Sequence, residues 1–235
     1  MEKIIMNNEI MIIGDVHGEF GKLNTFISKK QPKIILQVGD FGYFPRWSWE
    51  LHNPNKKRNE FSKLPTVKSN TSKIYFCAGN HEDHESLMSL KNNEVYNNVY
   101  YMKRGSILTL DDGRNVLFMG GAKSHDSAYR KNGIDWFKEE ILSEKDVMEV
   151  DTNTKIDIVI SHTAPIEFEI EKTVIGNPIK NEDSSRNHLS YILNTFKPSL
   201  WYFGHWHHYL KGTINGCKWT ALNHIMGSNF FEYLP

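Results

Sequence analysis

Five short apolar runs in this 235-residue chain each close on a small residue that is followed at once by Asp, Asn or His. Ile10–Ile13 runs into Gly14-Asp15-Val16-His17-Gly18, Ile34–Val38 into Gly39-Asp40, and Ile74–Ala78 into Gly79-Asn80-His81-Glu82. Ile156–Ile160 runs into Ser161-His162, and Trp201–Phe203 into Gly204-His205-Trp206-His207. Each run is short and rich in β-branched or aromatic residues, which predicts a buried strand. In open α/β sheets, ligand sites lie beyond the carboxyl ends of the strands. A glycine at that point removes the Cβ that would hinder a tight turn. The five loops are therefore expected to converge.

Segments with helical spacing lie between the runs. Phe20, Leu23, Phe26 and Ile27 form one such stripe, and Leu189, Ile192, Leu193 and Phe196 form another that stops before Pro198. Strands alternating with helices predict sheets covered by helices. Val99–Met102, Ser106–Leu110 and Asn115–Met119 read as successive strands, the last two joined by a turn at Asp111-Asp112-Gly113, so at least one antiparallel hairpin is expected. No repeat or linker interrupts the chain, and a single α/β domain over 1–235 is the expectation. Two stretches, 43–71 and 164–185, lack regular patterning and are candidate lids or inserts. The first carries Trp47, Trp49 and the basic run Asn55-Lys56-Lys57-Arg58-Asn59. It reads as a solvated face with an aromatic anchor, the alternative being a base-stacking lid.

Composition narrows the class. Lys plus Arg and Asp plus Glu are both 28. That balance argues against a general nucleic-acid or membrane-surface binder, which would be basic. A hydrophobic content of 39% suffices for a packed core. The two cysteines, Cys77 and Cys217, have no zinc-site spacing and indicate no disulfide framework, so a reducing cytoplasm is expected. The first residues lack the apolar core of a secretory signal. No run approaches the ~20 residues needed to cross a bilayer. Eleven histidines remain as the compositional oddity.

Several of those histidines belong to the converging loops. Asp15, His17, Asp40, Asn80, His162, His205 and His207 supply two carboxylates, one amide oxygen and four imidazoles. Seven mixed donors exceed one tetrahedral or octahedral ion with an open position; they suit two divalent metals sharing a carboxylate. Such pairs activate water and clamp both oxygens of a displacement at phosphorus. One Gly-Asp after a strand is an ordinary turn, and a lone buried histidine is an ordinary core residue. Five such endings in one chain are neither.

In their order along the chain, these motifs resemble the calcineurin-like metallophosphoesterases, and the likeness runs from residue 14 to residue 207. The resemblance implies a four-layer αββα sandwich of mixed β-sheets flanked by helices. It implies a metal held by Asp15, His17 and His207, a second held by Asn80, His162 and His205, and Asp40 bridging the two. It implies His81 as the general acid and a bridging hydroxide as the attacking group. The expected activity is hydrolysis of a phosphodiester or of a small or nucleotide phosphate. Manganese leads as the metal, with Fe, Zn, Co or Ni also suited to these donors.

The chain departs from the protein Ser/Thr phosphatases of that family. Tyr43 stands where an Asp would steady the catalytic histidine, and Phe44 stands where an Arg would grip phosphate. A phosphoprotein substrate is thereby disfavoured, since a bidentate Arg matches a phosphomonoester dianion. Arg46 is a candidate replacement in a different register. His125 and Arg130, on the loop after Gly120-Gly121, are candidate phosphate contacts, against an ordinary surface loop with an Asp126–Arg130 pair. His84 is expected on the surface, and His52, His188 and His224 are assigned no role. A non-catalytic scaffold is the rival from another class, disfavoured because the whole ligand set is present. A nuclease is disfavoured by the neutral charge.

Overall fold

The computed structural model describes residues 9–46, 66–170 and 183–235. Two six-stranded mixed sheets form its centre. The first has the order β12-β1-β2-β3-β5-β4, from strands β1 (Ile10–Ile13), β2 (Ile34–Gln37), β3 (Lys73–Phe76), β4 (Glu94–Tyr96), β5 (Val99–Tyr101) and β12 (Phe231–Tyr233). The second has the order β10-β11-β9-β8-β7-β6, from β6 (Ser106–Thr109), β7 (Asn115–Met119), β8 (Ile158–Ser161), β9 (Leu200–Phe203), β10 (Leu210–Ile214) and β11 (Cys217–Ala221). Each sheet has four parallel strands at its centre and an antiparallel strand at either edge. The expected hairpin is the β6–β7 pair, closed by the Gly113 N–H donating to the Leu110 carbonyl.

Strand periodicity sorts the side chains into layers. Ile12, Leu36, Val116, Phe118, Ile158, Ile160 and Tyr202 fill the space between the sheets. Their neighbours Ile13, Ile35, Ile74 and Phe76 face outward on the first sheet, toward helices α1 (Phe20–Lys30) and α2 (His84–Met88). Leu117, Met119, Val159, Trp201 and Phe203 face outward on the second, toward α3 (Glu144–Met148) and α4 (Ser185–Phe196). The alternation follows from successive Cβ atoms pointing to opposite faces of a strand. Helices, two sheets and helices make the four expected layers.

The helices form where the apolar stripes predict. Phe20, Leu23 and Ile27 of α1 are buried, each contributing about 1.5–3 kcal/mol. Both long helices stop in the same way. Gln31 and Lys197 adopt left-handed backbone, their N–H groups donate to Ile27 and Leu193, and Pro32 or Pro198 prevents continuation. Asp83 caps α2 by accepting from the Ser86 N–H, and Ser143 with Asp146 forms a capping box on α3. No helix among the described residues is long and apolar enough to cross a membrane. Most of segment 43–71, with Trp47, Trp49, His52 and the basic run, and most of segment 164–185 lie outside the described residues.

Candidate metal centre

The loops leaving β1, β2, β3, β7, β8, β9 and β11 are stitched together at one edge of the sandwich. The N–H groups of Val16 and His17 both donate to the Asp40 carbonyl, at 2.9 and 2.7 Å. Gln37 Nε2 donates to the carbonyls of Gly14 and Gly39. The Gly121 N–H donates to Ala78, that of Gly204 to His162, and that of Ile225 to Asp15. The Gly121 and Ile225 bonds cross between sheets, so the loops of one sheet are tied to those of the other.

Two glycines carry the carboxylates. A Cβ on Gly79 would stand 2.1 Å from Asp40 Oδ1, and one on Gly204 would stand 1.8 Å from Asp15 Oδ1. Only a residue without a side chain lets each carboxylate lie flat against the neighbouring loop. Backbone N–H groups then fix the acids: His81 donates to Asp40 Oδ1 at 2.7 Å, and His205 donates to both oxygens of Asp15.

The seven expected ligands come together. Asp15, His17, Asp40 and His207 offer one atom each, all within 4.8 Å of one another. His207 Nε2 lies 3.0 Å from Asp15 Oδ2 and 3.0 Å from His17 Nε2. On the other side of Asp40, His162 Nε2 lies 3.2 Å from Asp40 Oδ1 and 3.1 Å from Asn80 Oδ1. The His205 ring stands 5.0 Å from that of His162. His162 Nδ1 makes a 2.9 Å hydrogen bond with the Val38 carbonyl, which turns Nε2 toward the cluster. Asp15, Asp40, Asn80, His162 and His205 are buried, while His17 and His207 open to solvent at the mouth. An all-nitrogen-and-oxygen donor set with charged acids held in a buried cradle fits divalent cations. Four of the seven, His17, Asp40, His205 and His207, hold left-handed backbone with φ between 49° and 65°. Each costs about 1–3 kcal/mol, strain of the kind that collects at functional sites.

The electrostatics are those of opposite charges pressed together. Burial opposes the Asp40 charge, yet His162, His81 and His17 hold its carboxyl well below the usual range. Burial likewise opposes a charged His162, and the Asp40 carboxylate outweighs it, raising the ring to about 9. His81 is lowered by burial, with Asp40 opposing and Arg130 and His17 adding to the fall.

The remaining predicted residues divide. Arg130 reaches the site: its Nη2 stands 2.6 and 2.9 Å from the two nitrogens of the His81 ring, and its Nη1 donates to the Asn80 and Asp135 carbonyls. The Asp126–Arg130 pair is also present, at 2.8 Å. The His125 ring lies tilted beside that of His205, ring centres 5.5 Å apart. Arg46 is engaged elsewhere, in ion pairs with Asp83 and Glu85 beside α2. Tyr43 is buried in the core against Tyr96 and does not take the place of an acid next to His81. His84 corrects the expectation of a surface residue. It is 4% exposed, its Nε2 bonds the Gly79 carbonyl, and burial with nearby Arg104 lowers it to about 4.

Three supporting residues carried no assigned role in the sequence. Glu82 is fully buried and accepts the N–H groups of Phe41, Gly42 and Gly79, joining two ligand loops through one carboxylate. Arg186 is fully buried, donates to the Ala164 and Pro165 carbonyls, and stacks on Trp206 between the two ligand histidines. His224, just past β11, lies with its ring 4.8 Å from that of His207. A strand run ending in a polar residue was the available signal for His224. Cys217–Ala221 hides it by interleaving Lys and Thr with its apolar residues.

A family model described as calcineurin-like phosphoesterase matches residues 9–209. Comparison with curated proteins gives no significant match. Among solved structures, GAP50, the anchor in the inner membrane complex of Plasmodium, aligns at 12% identity and TM-score 0.48, over 90% of this chain and 70% of its own. The phosphopantetheinyl hydrolase PptH of Mycobacterium tuberculosis aligns at 9% and 0.45, over 97% of both chains. A candidate 5′-nucleotidase of Staphylococcus aureus aligns at 13% and 0.48, over 92% of this chain and 48% of that one.

Proposed function

The chain belongs to the calcineurin-like phosphoesterase family and is a phosphoester hydrolase, and from that premise we propose that its seven clustered residues hold two divalent metal ions. Asp15, His17 and His207 would hold one, Asn80, His162 and His205 the other, and Asp40 would serve both. Manganese is the favoured metal, with Fe, Zn, Co and Ni suited to the same donors. Bound there, such ions lower the pKa of water and polarise phosphoryl oxygens. The observation that carries this reading is the placing of the two Asp40 oxygens. Oδ2 faces His17 at 3.7 Å and Oδ1 faces His162 at 3.2 Å.

The protein's own groups do the rest. His81, fixed by its N–H on Asp40 and by Arg130 against its ring, gives a ring proton to the leaving oxygen as the P–O bond breaks. Arg130 and His125 flank the phosphoryl group from the loop after β7. The favoured substrate is a phosphodiester or a small or nucleotide phosphate, because Phe44 replaces the arginine that a phosphoprotein monoester would need. Two free, buried cysteines suit a reducing compartment such as the cytoplasm.

The test is turnover of bis-p-nitrophenyl phosphate and p-nitrophenyl phosphate by Mn²⁺-loaded protein. We expect hydrolysis that EDTA stops, a higher kcat/KM for the diester, and no activity in Asp40→Ala. His81→Ala should slow alkyl esters more than nitrophenyl esters, because nitrophenolate leaves without a proton. Failure of both substrates with every metal named would overturn the reading.

A further inference from the structure

An asparagine ligand has a hazard that a carboxylate lacks. Its amide oxygen and amide nitrogen are nearly the same size, but only the oxygen can hold a metal, and the NH₂ group turned inward would repel one. Something must tell Asn80 which way to face. Its Nδ2 donates to Ser124 Oγ at 3.1 Å. That bond orients the amide only if the hydroxyl is obliged to accept, since a serine hydroxyl can equally donate.

The obligation comes from Glu140. The Ser124 hydroxyl donates its single proton to Glu140 Oε2 at 2.7 Å, and the Ser124 N–H donates to Oε1 at 2.6 Å. Trp136 Nε1 donates to the same Oε1 at 3.1 Å. Glu140 is 1% exposed and Ser124 is 1% exposed, so water does not compete for these bonds. With its proton committed to a carboxylate, Ser124 can offer Asn80 only a lone pair. Asn80 must then show Ser124 its NH₂ and turn Oδ1 to the cluster, where it lies 3.1 Å from His162 Nε2.

We propose that Glu140, acting through Ser124, is a positioning residue that fixes the amide orientation of Asn80 and thereby sets the affinity of the metal position shared by Asn80, His162 and His205. The inference rests on the two-ion reading above and concerns only the second ion. Burial pushes the Glu140 carboxyl up to about 7, with the Ser124 and Trp136 hydrogen bonds and the Arg130 charge opposing that rise. The relay is therefore best read at pH 8, where the carboxylate is ionised.

The test is Mn²⁺ stoichiometry and affinity at pH 8, by titration calorimetry and by metal analysis after dialysis. Wild-type protein should bind two ions. Ser124→Ala should keep the first and bind the second about 10–100-fold more weakly, the usual effect of losing an outer partner of a ligand. Ser124→Thr keeps the hydroxyl and should behave as wild type. Glu140→Gln can present an NH₂ to Ser124, removes the obligation, and should weaken the second ion. An aspartate at position 80 has two equivalent oxygens and needs no orienting. In an Asn80→Asp background, Ser124→Ala should therefore cost little.

Equal second-site affinity in folded Ser124→Ala and Glu140→Gln would overturn the inference while leaving the two-ion reading standing. A full Ser124→Ala penalty retained beside Asn80→Asp would overturn it as well. A wild-type protein that binds one ion would overturn the two-ion reading itself. Should Ser124→Ala fail to fold, Glu140→Gln alone decides: unchanged affinity overturns the proposal and weakened affinity upholds it.

Discussion

At His81 two influences pull the ring's proton affinity in opposite directions. Burial, Arg130 and the neighbouring His17 favour the neutral ring, while Asp40 favours the charged one, and the balance falls below the ordinary histidine value. In the proposed role of general acid His81 works only while protonated, so activity should fall as pH rises through this lowered value. Replacing Arg130 by Met removes one of the lowering influences, and that limb of the pH–kcat/KM profile should move to higher pH. An unmoved limb would separate Arg130 from the proton-donating step. His81 was legible in the sequence because it sits in an ordered motif. Its contact with Arg130 was not legible: the sequence set a phosphate contact by Arg130 against an Asp126–Arg130 pair, whereas the guanidinium meets Asp126 through Nε and the His81 ring through Nη2. His84 was misread because nothing local marks it as buried. The Asp83 cap starts a helix that turns its first residue inward onto Gly79.

At the scale of strands and helices, the parallel strands β1, β2, β3, β7, β8 and β9 were legible, because strands buried on both faces read as unbroken apolar runs, while β11, with Lys218 and Thr220 among its apolar residues, was not. The edges were not. β10 alternates half-buried and exposed positions and contains Gly212, β12 is Phe-Glu-Tyr, and β4 is Glu-Val-Tyr. Such short, mixed strands are held by their neighbours rather than by their own pattern. The loops that end the central strands are tightly constrained. Gly204→Ala would drive a methyl group into Asp15, costing about 1–3 kcal/mol as overpacking does. The displaced carboxylate should weaken Mn²⁺ binding at the Asp15–His17–His207 position. A melting curve without metal and a Mn²⁺ titration measure the two effects separately.

For the whole molecule, the sequence predicted converging loops and, through family likeness, four layers. It did not reveal how the loops of one sheet are tied to those of the other, through backbone bonds such as Ile225 to Asp15 that leave no trace in residue type. Because the metal position draws on both sheets, ligand binding and folding should be linked. Protein held at a free Mn²⁺ concentration 100 times the dissociation constant should gain about 2.7 kcal/mol per bound ion over EDTA-treated protein. Scanning calorimetry of the two states checks this, and equal melting temperatures would contradict it.

The left-handed backbone at His17, Asp40, His205 and His207 has a consequence for protein engineering. These are positions where glycine would be the more comfortable residue, so the side chains are kept for their chemistry against a local conformational preference. His207→Gly should therefore be more stable than His207→Ala, by roughly 1–2 kcal/mol. Both variants should be inactive, and the glycine variant leaves the larger opening for added imidazole to restore turnover. At most positions a glycine variant would be the less stable of the pair; here the order should reverse.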